Sequence, residues 1–447
     1  MMRGILFVSV AALGALLGGC LTEDGGSGDD GATESALSRR RAKDPCTKHP
    51  WPMVYGCRDR QGRSTAVGPT APKLAWQTQL PSSCAPRHLV VDATGRAFVS
   101  QDACRDNVFH AGSARVSAVS ADGVVKWTVA LDGEVHDLAI GGDDALYAYV
   151  TSRRPVRAFQ SALVHAFVRY DSGDGTNALL FSEEVGTDLS RRLLVQADGR
   201  VVFGAPEEIA EANPTAPKPA SKVYDPTTKA LSAGPPFYTP WLRSEVAGGG
   251  WLSSGTRYDG TALKREFWVD RRTTSGGLSW TAADAALLGI GPGGTTFGVL
   301  PNSAQGSSGW GRPALLQPGG TKVALAAADS AISPYSLAIG ADDSLVLALT
   351  RGSAHKVAKY TKTGAAVFEV PVSLQGGNVV VDGAGTIYAG GTAFDAQGTR
   401  LWTSWSTGSW LPELDLIAPA PNRTLYAAWS RPVGANGKLF ALRDAAP

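Results

Sequence analysis

An all-β fold of many short strands is what this sequence predicts, and three observations carry the prediction. The 447 residues include 53 Gly, 27 Pro and 12 Trp, with 43% apolar and only 18% charged, a mixture that suits short apolar strands joined by Gly-rich turns. One short unit returns eight times between Gly95 and Arg423, a mean step of about 47 residues, within the period range of β-propeller blades. The two ends of the folded region also complement one another, the last unit lacking a strand that the first segment can supply. The composition excludes a coiled coil, a globally disordered chain and a collagen-like repeat. A net charge of +2 from 42 basic and 40 acidic residues gives no electrostatic case for nucleic acid.

The N-terminus reads Met1-Met2-Arg3, then an apolar run from Gly4 to Gly19, then Cys20. One positive charge before a short apolar core that ends in small residues is the pattern of an export signal over residues 1–19. The run is shorter than the ~20 apolar residues of a membrane-spanning helix. Its end, Leu17-Gly18-Gly19-Cys20, resembles the bacterial lipobox. That resemblance implies cleavage before Cys20, lipidation of Cys20 and, with Leu21 rather than Asp as the second mature residue, sorting to the outer membrane of a bacterial cell envelope. Residues 20–45 hold almost no large apolar group and read as a flexible tether. Within it, Arg39-Arg40-Arg41 reads as a solvated run of charge.

Four further cysteines, Cys46, Cys57, Cys84 and Cys104, form an even set in an exported chain and suggest disulfides. Cys84 and Cys104 flank a strand, turn and strand centred near Thr94, so a hairpin brings them toward each other. Cys46 and Cys57 then staple a lead-in segment, residues 46–72. Neither pair has the spacing of a metal site.

The propeller domain is expected over residues 73–447. Its repeating hairpin appears at Val90–Val99, Ile140–Tyr147, Val195–Val202, Ile290–Phe297, Ile339–Val346, Val381–Tyr388 and Pro421–Tyr426, with a weaker copy around Gly248–Trp251. A second hairpin follows most of these, an apolar residue and Asp before a turn and a strand ending in an aromatic, as in Val119–Trp127, Tyr170–Phe181 and Phe394–Trp402. Two hairpins per period make a four-stranded blade. The expectation is eight blades, or seven if the weak copy does not form one. The strand at Lys73–Leu80 completes the last blade and closes the ring, which removes an exposed edge.

This Asp-turn-Gly-Trp element resembles the repeat of quinoprotein-dehydrogenase-like (PQQ-type) propellers, across essentially all of residues 73–443. The resemblance offers quinone-dependent dehydrogenases or non-enzymatic propeller lipoproteins such as the BamB component of the outer-membrane protein assembly machine. The adjacent cysteines and acidic cluster of the dehydrogenases have no counterpart here, so the non-enzymatic branch is favoured, with no catalytic residue, cofactor or metal. Gly289-Ile290-Gly291-Pro292-Gly293-Gly294 spells a dinucleotide fingerprint but falls in a blade turn without the helix that motif requires. Asp171-Ser172-Gly173-Asp174-Gly175 lacks the spaced ligands of a calcium loop.

Trp76, Trp127, Trp280 and Trp402 occupy the repeat's aromatic position and are expected to pack between blades. Trp405, Trp410 and Trp429 lie outside that position and form a candidate aromatic patch for protein or carbohydrate. Aligned first strands, which line a propeller's channel, place His88, Asp137, Arg192, Ser336, Asn378 and Asp415 near one channel mouth, the default ligand or partner site. The functional expectation is a monomeric, membrane-anchored scaffold that binds a protein partner in the envelope. The alternatives are an enzyme that uses the channel mouth and a carbohydrate-binding surface protein.

Overall fold

The structure, a computed structural model, describes residues 45–51, 56, 62–81, 85–101, 113–157, 160–185, 193–203, 222–234, 241–245, 251–259, 264–273, 277–301, 311–326, 330–351, 354–372, 378–389, 391–403, 416–428 and 437–444. They form eight antiparallel four-stranded sheets. From first to outermost strand, sheet one is Pro86–Val91, Ala97–Gln101, Ser113–Val119 and Val125–Asp132, and sheet two is Glu134–Ile140, Leu146–Arg157, Gln160–Tyr170 and Asn177–Val185. Sheet three is Leu193–Val195, Val201–Phe203, Lys222–Asp225 and Ala230–Ala233. Sheet four, around the weak copy, is Trp241–Glu245, Trp251–Asp259, Lys264–Arg272 and Leu278–Ala283. Sheet five is Ala286–Ile290, Thr296–Pro301, Gly311–Leu316 and Lys322–Ala324, and sheet six is Ser330–Ile339, Leu345–Arg351, Ala354–Tyr360 and Ala366–Pro371. Sheet seven is Val380–Val381, Ile387–Ala389, Thr392–Phe394 and Arg400–Thr403.

Sheet eight joins the two ends of the domain. Leu416–Ala420, Thr424–Ala428 and Lys438–Asp444 take Pro72–Gln79 as their outer strand, in a register from Pro72↔Asp444 to Gln79↔Lys438. Asp444 also accepts the amides of Thr70 at 2.8 Å and Ala71 at 2.7 Å. From sheet one to sheet seven the first strands of successive sheets pack on one another, and that of sheet one packs on that of sheet eight as well as on that of sheet two. These sheets define a β-propeller. Its core is the aliphatic and aromatic filling between them, as where Leu89, Val91 and Val99 of sheet one meet Ile417, Leu425 and Tyr426 of sheet eight.

Turn chemistry explains why the repeat folds this way. In sheet one, Asp92 Oδ1 accepts the amides of Thr94 and Arg96, each at 2.9 Å, and its other oxygen meets the Arg96 guanidinium at 2.8 Å. Gly95 takes the left-handed conformation (φ 81°) that closes this turn. Asp382 does the same in sheet seven with the amides of Ala384 and Thr386, and it also accepts the Tyr388 hydroxyl at 3.0 Å. Burial first, then the neighbouring Asp382, holds the Tyr388 hydroxyl far above the usual phenol range, so it stays a neutral donor.

The lead-in segment is stitched onto the same ends of the first strands. A single helical turn, Pro45–Lys48, precedes His49, and Lys48 reaches Asp144 in the sheet two turn. Trp51 is buried and exchanges backbone hydrogen bonds with Val91. Further on, Arg63 bridges to Val381, and Gly68 N donates to Asp382 at 2.7 Å. Residues 45–68 therefore touch sheets one, two and seven. Cys46 is buried and disulfide-bonded. Cys20, Cys57, Cys84 and Cys104 lie outside the described residues, although the Pro86↔Gln101 pair shows that the strands next to Cys84 and Cys104 run side by side.

Candidate functional site

The residues expected at the channel mouth can be placed in part. Arg192 and Asp415 lie outside the described residues, and Ser336 is placed only by its backbone, inside the irregular pairing between Ile332 and Leu337. Asn378 is half-buried just before Val379 and the first strand of sheet seven. His88 and Asp137 follow β-bulges at matching positions of sheets one and two, Pro86/His88 and Val135/Asp137. A bulge re-aims the side chain that follows it. His88 Nδ1 lies 2.8 Å from Ser100 Oγ. Asp137 is fully buried, and its carboxylate accepts Leu138 N at 3.1 Å and Leu193 N at 2.8 Å. Leu193 opens the first strand of sheet three, so Asp137 is a staple between neighbouring sheets. Ser254 Oγ performs the same task for Leu287 N, where sheet five begins, at 3.1 Å.

A polar seam that periodicity did not single out crosses sheet two. His136 Nε2 lies 2.6 Å from Thr151 Oγ1, and its ring tilts against Tyr149. Tyr149 hydrogen-bonds His165 Nδ1, and His165 pairs in register with Glu183 on the outer strand. Tyr149 and His165 are fully buried. The signal in the sequence was His136, Tyr149, Thr151 and His165 alternating with apolar residues, and it shows its meaning only once cross-strand register is known.

The repeat's tryptophans divide into two kinds. Trp76 Nε1 donates to Ala121 O at 3.0 Å, Trp127 Nε1 to Ser172 O at 3.1 Å, and Trp402 Nε1 to Pro69 O at 3.2 Å. The first two bonds reach the next sheet, and the third reaches the lead-in just before the outer strand of sheet eight. A methyl group built on Gly123 would stand 2.8 Å from the Trp76 ring, and one on Gly175 2.8 Å from the Trp127 ring. These glycines let indole and turn touch. The Asp171–Gly175 turn is thus a docking surface, pinned by Gly173 N to Asp171 Oδ1 at 2.7 Å.

Trp280 departs from this pattern. The matching glycine, Gly320, faces Thr281 O instead of an indole. Between sheets four and five lies a cavity of about 350 Å³, lined by Arg271 and Trp280 on one side and by Gly294, Thr295 and Gln317 on the other, over a floor that includes Leu252 and Leu316. Cross-strand pairing supplies the difference. Opposite Trp76, Trp127 and Trp402 stand Ala441, Ala118 and Ala393, whereas opposite Trp280 stands Arg271. A methyl partner leaves room for an indole to lie down on the next sheet, and a guanidinium arm does not. Burial lowers the Arg271 pKa from its ordinary value, because a charge held away from water loses hydration. The far wall is rigid: Asp343 of sheet six accepts Gly293 N at 2.8 Å and the Thr295 hydroxyl at 2.7 Å. A Cβ on Gly291 would sit 2.2 Å from Asp343 Oδ1, which explains the glycine run of the fingerprint-like motif as a turn seating a neighbouring carboxylate. Trp405, Trp410 and Trp429 lie outside the described residues.

No protein-family model matches the sequence, and no curated protein matches it either. Solved structures of similar fold include the β-propeller domain of the Trilobed protease from Pyrococcus furiosus, 8% identical with a TM-score of 0.39, covering 81% of this chain and 94% of that one. Quinohemoprotein alcohol dehydrogenase ADHIIG from Pseudomonas putida HK5 is 10% identical with a TM-score of 0.37, covering 94% and 83%. The acylaminoacyl peptidase of Pyrococcus horikoshii is 9% identical with a TM-score of 0.38, covering 80% of this chain and 57% of that one. At this distance none of them bears on what the chain does.

Proposed function

We propose that this chain is a lipid-anchored envelope protein, held at the outer membrane through Cys20, whose propeller binds a protein partner along its outer rim and performs no catalysis. The observation that carries the binding reading is the rim itself. On or just before every outermost strand, one large aliphatic side chain stands in solvent: Val124, Leu179, Leu231, Leu278, Val323, Val367, Leu401 and Leu74. In six sheets it comes one to three residues before the strand's aromatic, as with Leu179 before Phe181 and Leu278 before Trp280. Each of these strands is a sheet edge, with backbone groups facing outward that a partner strand can pair. Leu179 is 62% exposed and Leu278 57%, so covering them yields roughly 25 cal/mol per Å² of apolar surface removed from water. Leu17-Gly18-Gly19-Cys20 supports the anchor, and the cysteine set Cys46, Cys57, Cys84 and Cys104 supports an oxidising compartment.

The test starts from the native lipoprotein in detergent-solubilised membranes, crosslinked in cells before extraction. The rim reading expects a stoichiometric partner whose capture is lost in Leu179→Asp with Leu278→Asp and kept in His88→Ala. Capture that ignores the rim and fails in His88→Ala instead moves the site to the channel mouth. Cys20→Ala is expected to move the protein from the membrane to the soluble fraction.

A further inference from the structure

We propose that the lead-in is a latched strap over the turn end of the propeller, hinged on sheet seven and held at sheets one and two by His49, whose protonation opens it. The placement of the strap comes first. Among the described strands, the first strand of each sheet pairs only with the second, so its other edge looks inward, toward the axis that the sheets surround. Trp51 and Arg63 pair with that inner edge, at Val91 of sheet one and Val381 of sheet seven. These two valines hold the same position of the repeat, next to the Asp that caps the turn. Val91 N donates to Trp51 O at 2.8 Å and Val381 N to Gly62 O at 2.7 Å. The strap therefore lies at the finishing ends of these first strands, away from the starting ends near which His88 and Asp137 stand.

The two fastenings differ in kind. At sheet seven Ser64 N donates to Val381 O at 2.9 Å, Gly383 N to Ala66 O at 2.8 Å and Gly68 N to Asp382 at 2.7 Å. A Cβ on Gly62 would stand 2.5 Å from Val379 O, so the chain lies hard against this sheet. At sheets one and two the strap depends on an imidazole. His49 is buried, and its Nδ1 accepts the Ala93 amide at 3.0 Å, two residues beyond Val91. Nε2, which then carries the proton of the neutral ring, faces Asp144 Oδ1 at 3.0 Å. A second proton must go to Nδ1, because an imidazolium has a donor on each nitrogen and no acceptor. The Ala93 amide then faces another donor, and a buried amide without an acceptor is costly.

The charges around the ring oppose this only in part. Asp144, on the turn of sheet two, is about half exposed and already held by Lys48, so water screens its pull on the ring. Beside it, Asp143 is engaged by Arg169 and the Tyr147 hydroxyl. Asp92, on the turn of sheet one, is engaged by Arg96 and by the amides of Thr94 and Arg96. Lys48, on the strap itself, repels an imidazolium. Burial lowers the His49 pKa against the pull of Asp144 and Asp92, in keeping with a ring seated to stay neutral. Opening the latch frees Trp51, 3% exposed, and bares the inner edge of sheet one, whose backbone groups another strand can pair.

The test is hydrogen exchange of the full-length chain in detergent, without reductant so that the Cys46 disulfide is kept, read at single amides and corrected for the intrinsic effect of pH. The range runs from pH ~7.5 to pH ~4.5, which brackets the ordinary imidazole pKa and stays above the ordinary carboxylate range. Across it the amides of Val91 and Ala93 are expected to lose protection about tenfold or more, the worth of a buried hydrogen bond. Val381 and Gly383 at the hinge, and Val269 in the core of sheet four, are expected to keep theirs. His49→Gln supplies an acceptor and a donor that do not titrate, and is expected to hold the latch shut across the range. Should His49→Gln fold poorly, the contrast between Val91 and Val381 in the unaltered chain still decides. Unchanged protection at Val91 and Ala93 overturns the switch. Loss shared by Val381 and Gly383 overturns the hinge, and loss shared by Val269 overturns the strap in favour of general acid unfolding. Loss that persists in a folded His49→Gln overturns His49 as the latch.

Discussion

Two junctions of the propeller carry the same aromatic on the same strand and differ in what lies beneath it. Where sheet one meets sheet two, Trp127 faces Ala118 across its own sheet, donates to Ser172 O and rests against Gly175. Where sheet four meets sheet five, Trp280 faces Arg271, the corresponding Gly320 lies against backbone, and a cavity opens beside the indole. The lesson is that a repeat's anchor residue does not act alone. Close docking goes with a small residue across the sheet, joined at Trp76 and Trp127 by a glycine on the next one, and exchanging the small residue for a long cationic one turns a seam into a pocket.

The largest effect that tests this comparison is on stability. Trp127→Ala should cost about 3–5 kcal/mol, as for other buried Trp and Phe truncations, and Trp280→Ala less than half of that, read from urea unfolding. Equal losses would remove the distinction between the two junctions. Next come the turns. Gly175→Ala places a methyl 2.8 Å from the Trp127 ring at φ 78°, so left-handed strain and overpacking together should cost about 3 kcal/mol. Gly294→Ala, at φ 91° with nothing within 4 Å, should lose only the backbone share, about 1–2 kcal/mol.

The staples at the first strands offer a smaller contrast. Asp137→Ala leaves the Leu193 amide without its acceptor and should cost about 2 kcal/mol, whereas Ser254→Ala removes a neutral acceptor from Leu287 and should cost about 1 kcal/mol. A matching pair of losses would mean that charge adds nothing to the staple. The smallest effect concerns pH and the lead-in beside sheets one and two. His49 is buried, accepts the Ala93 amide through Nδ1 at 3.0 Å and holds Nε2 3.0 Å from Asp144. Burial lowers its pKa below the ordinary imidazole value, against the opposing pull of Asp144 and Asp92. The folded state then binds the proton less readily than the unfolded chain, so stability is full above the ordinary imidazole pKa and falls as the pH drops through it and toward the lowered value. Unfolding midpoints should decline between neutral pH and pH ~5, and His49→Gln should flatten that slope.

Much of this architecture is readable in the chain. The returning Asp-Gly turns mark the hairpins because Asp caps backbone amides and Gly supplies a positive φ, both local properties. The strand around Trp76 could be assigned to the last sheet because an unpaired edge needs a partner. Even the weak copy near Trp251 forms a sheet, in which the register runs from Trp251↔Arg272 to Asp259↔Lys264. The roles of particular polar residues were less legible. Asp137 and His88 occupy matching positions, yet one is spent on the amide of another sheet while the other meets a serine. The seam through His136, Tyr149 and His165 needs three strands in register before its members touch. The alanine opposite each docked tryptophan is present in the sequence, but its pairing is not, since a bulge shifts the count between strands.

The sequence by itself determined the strand-and-turn repeat and the complementarity of its two ends, because hydrophobic alternation, Asp caps and glycine φ act within ten or so residues. Tertiary structure alone decided that Trp280 borders a pocket while its counterparts seal seams, that Asp343 seats a glycine turn on the neighbouring sheet, and that the lead-in reaches from sheet two to sheet seven. Those outcomes depend on which atoms from distant parts of the chain come within a few ångströms of one another, and packing at that range is set by the sheets meeting, not by any one of them.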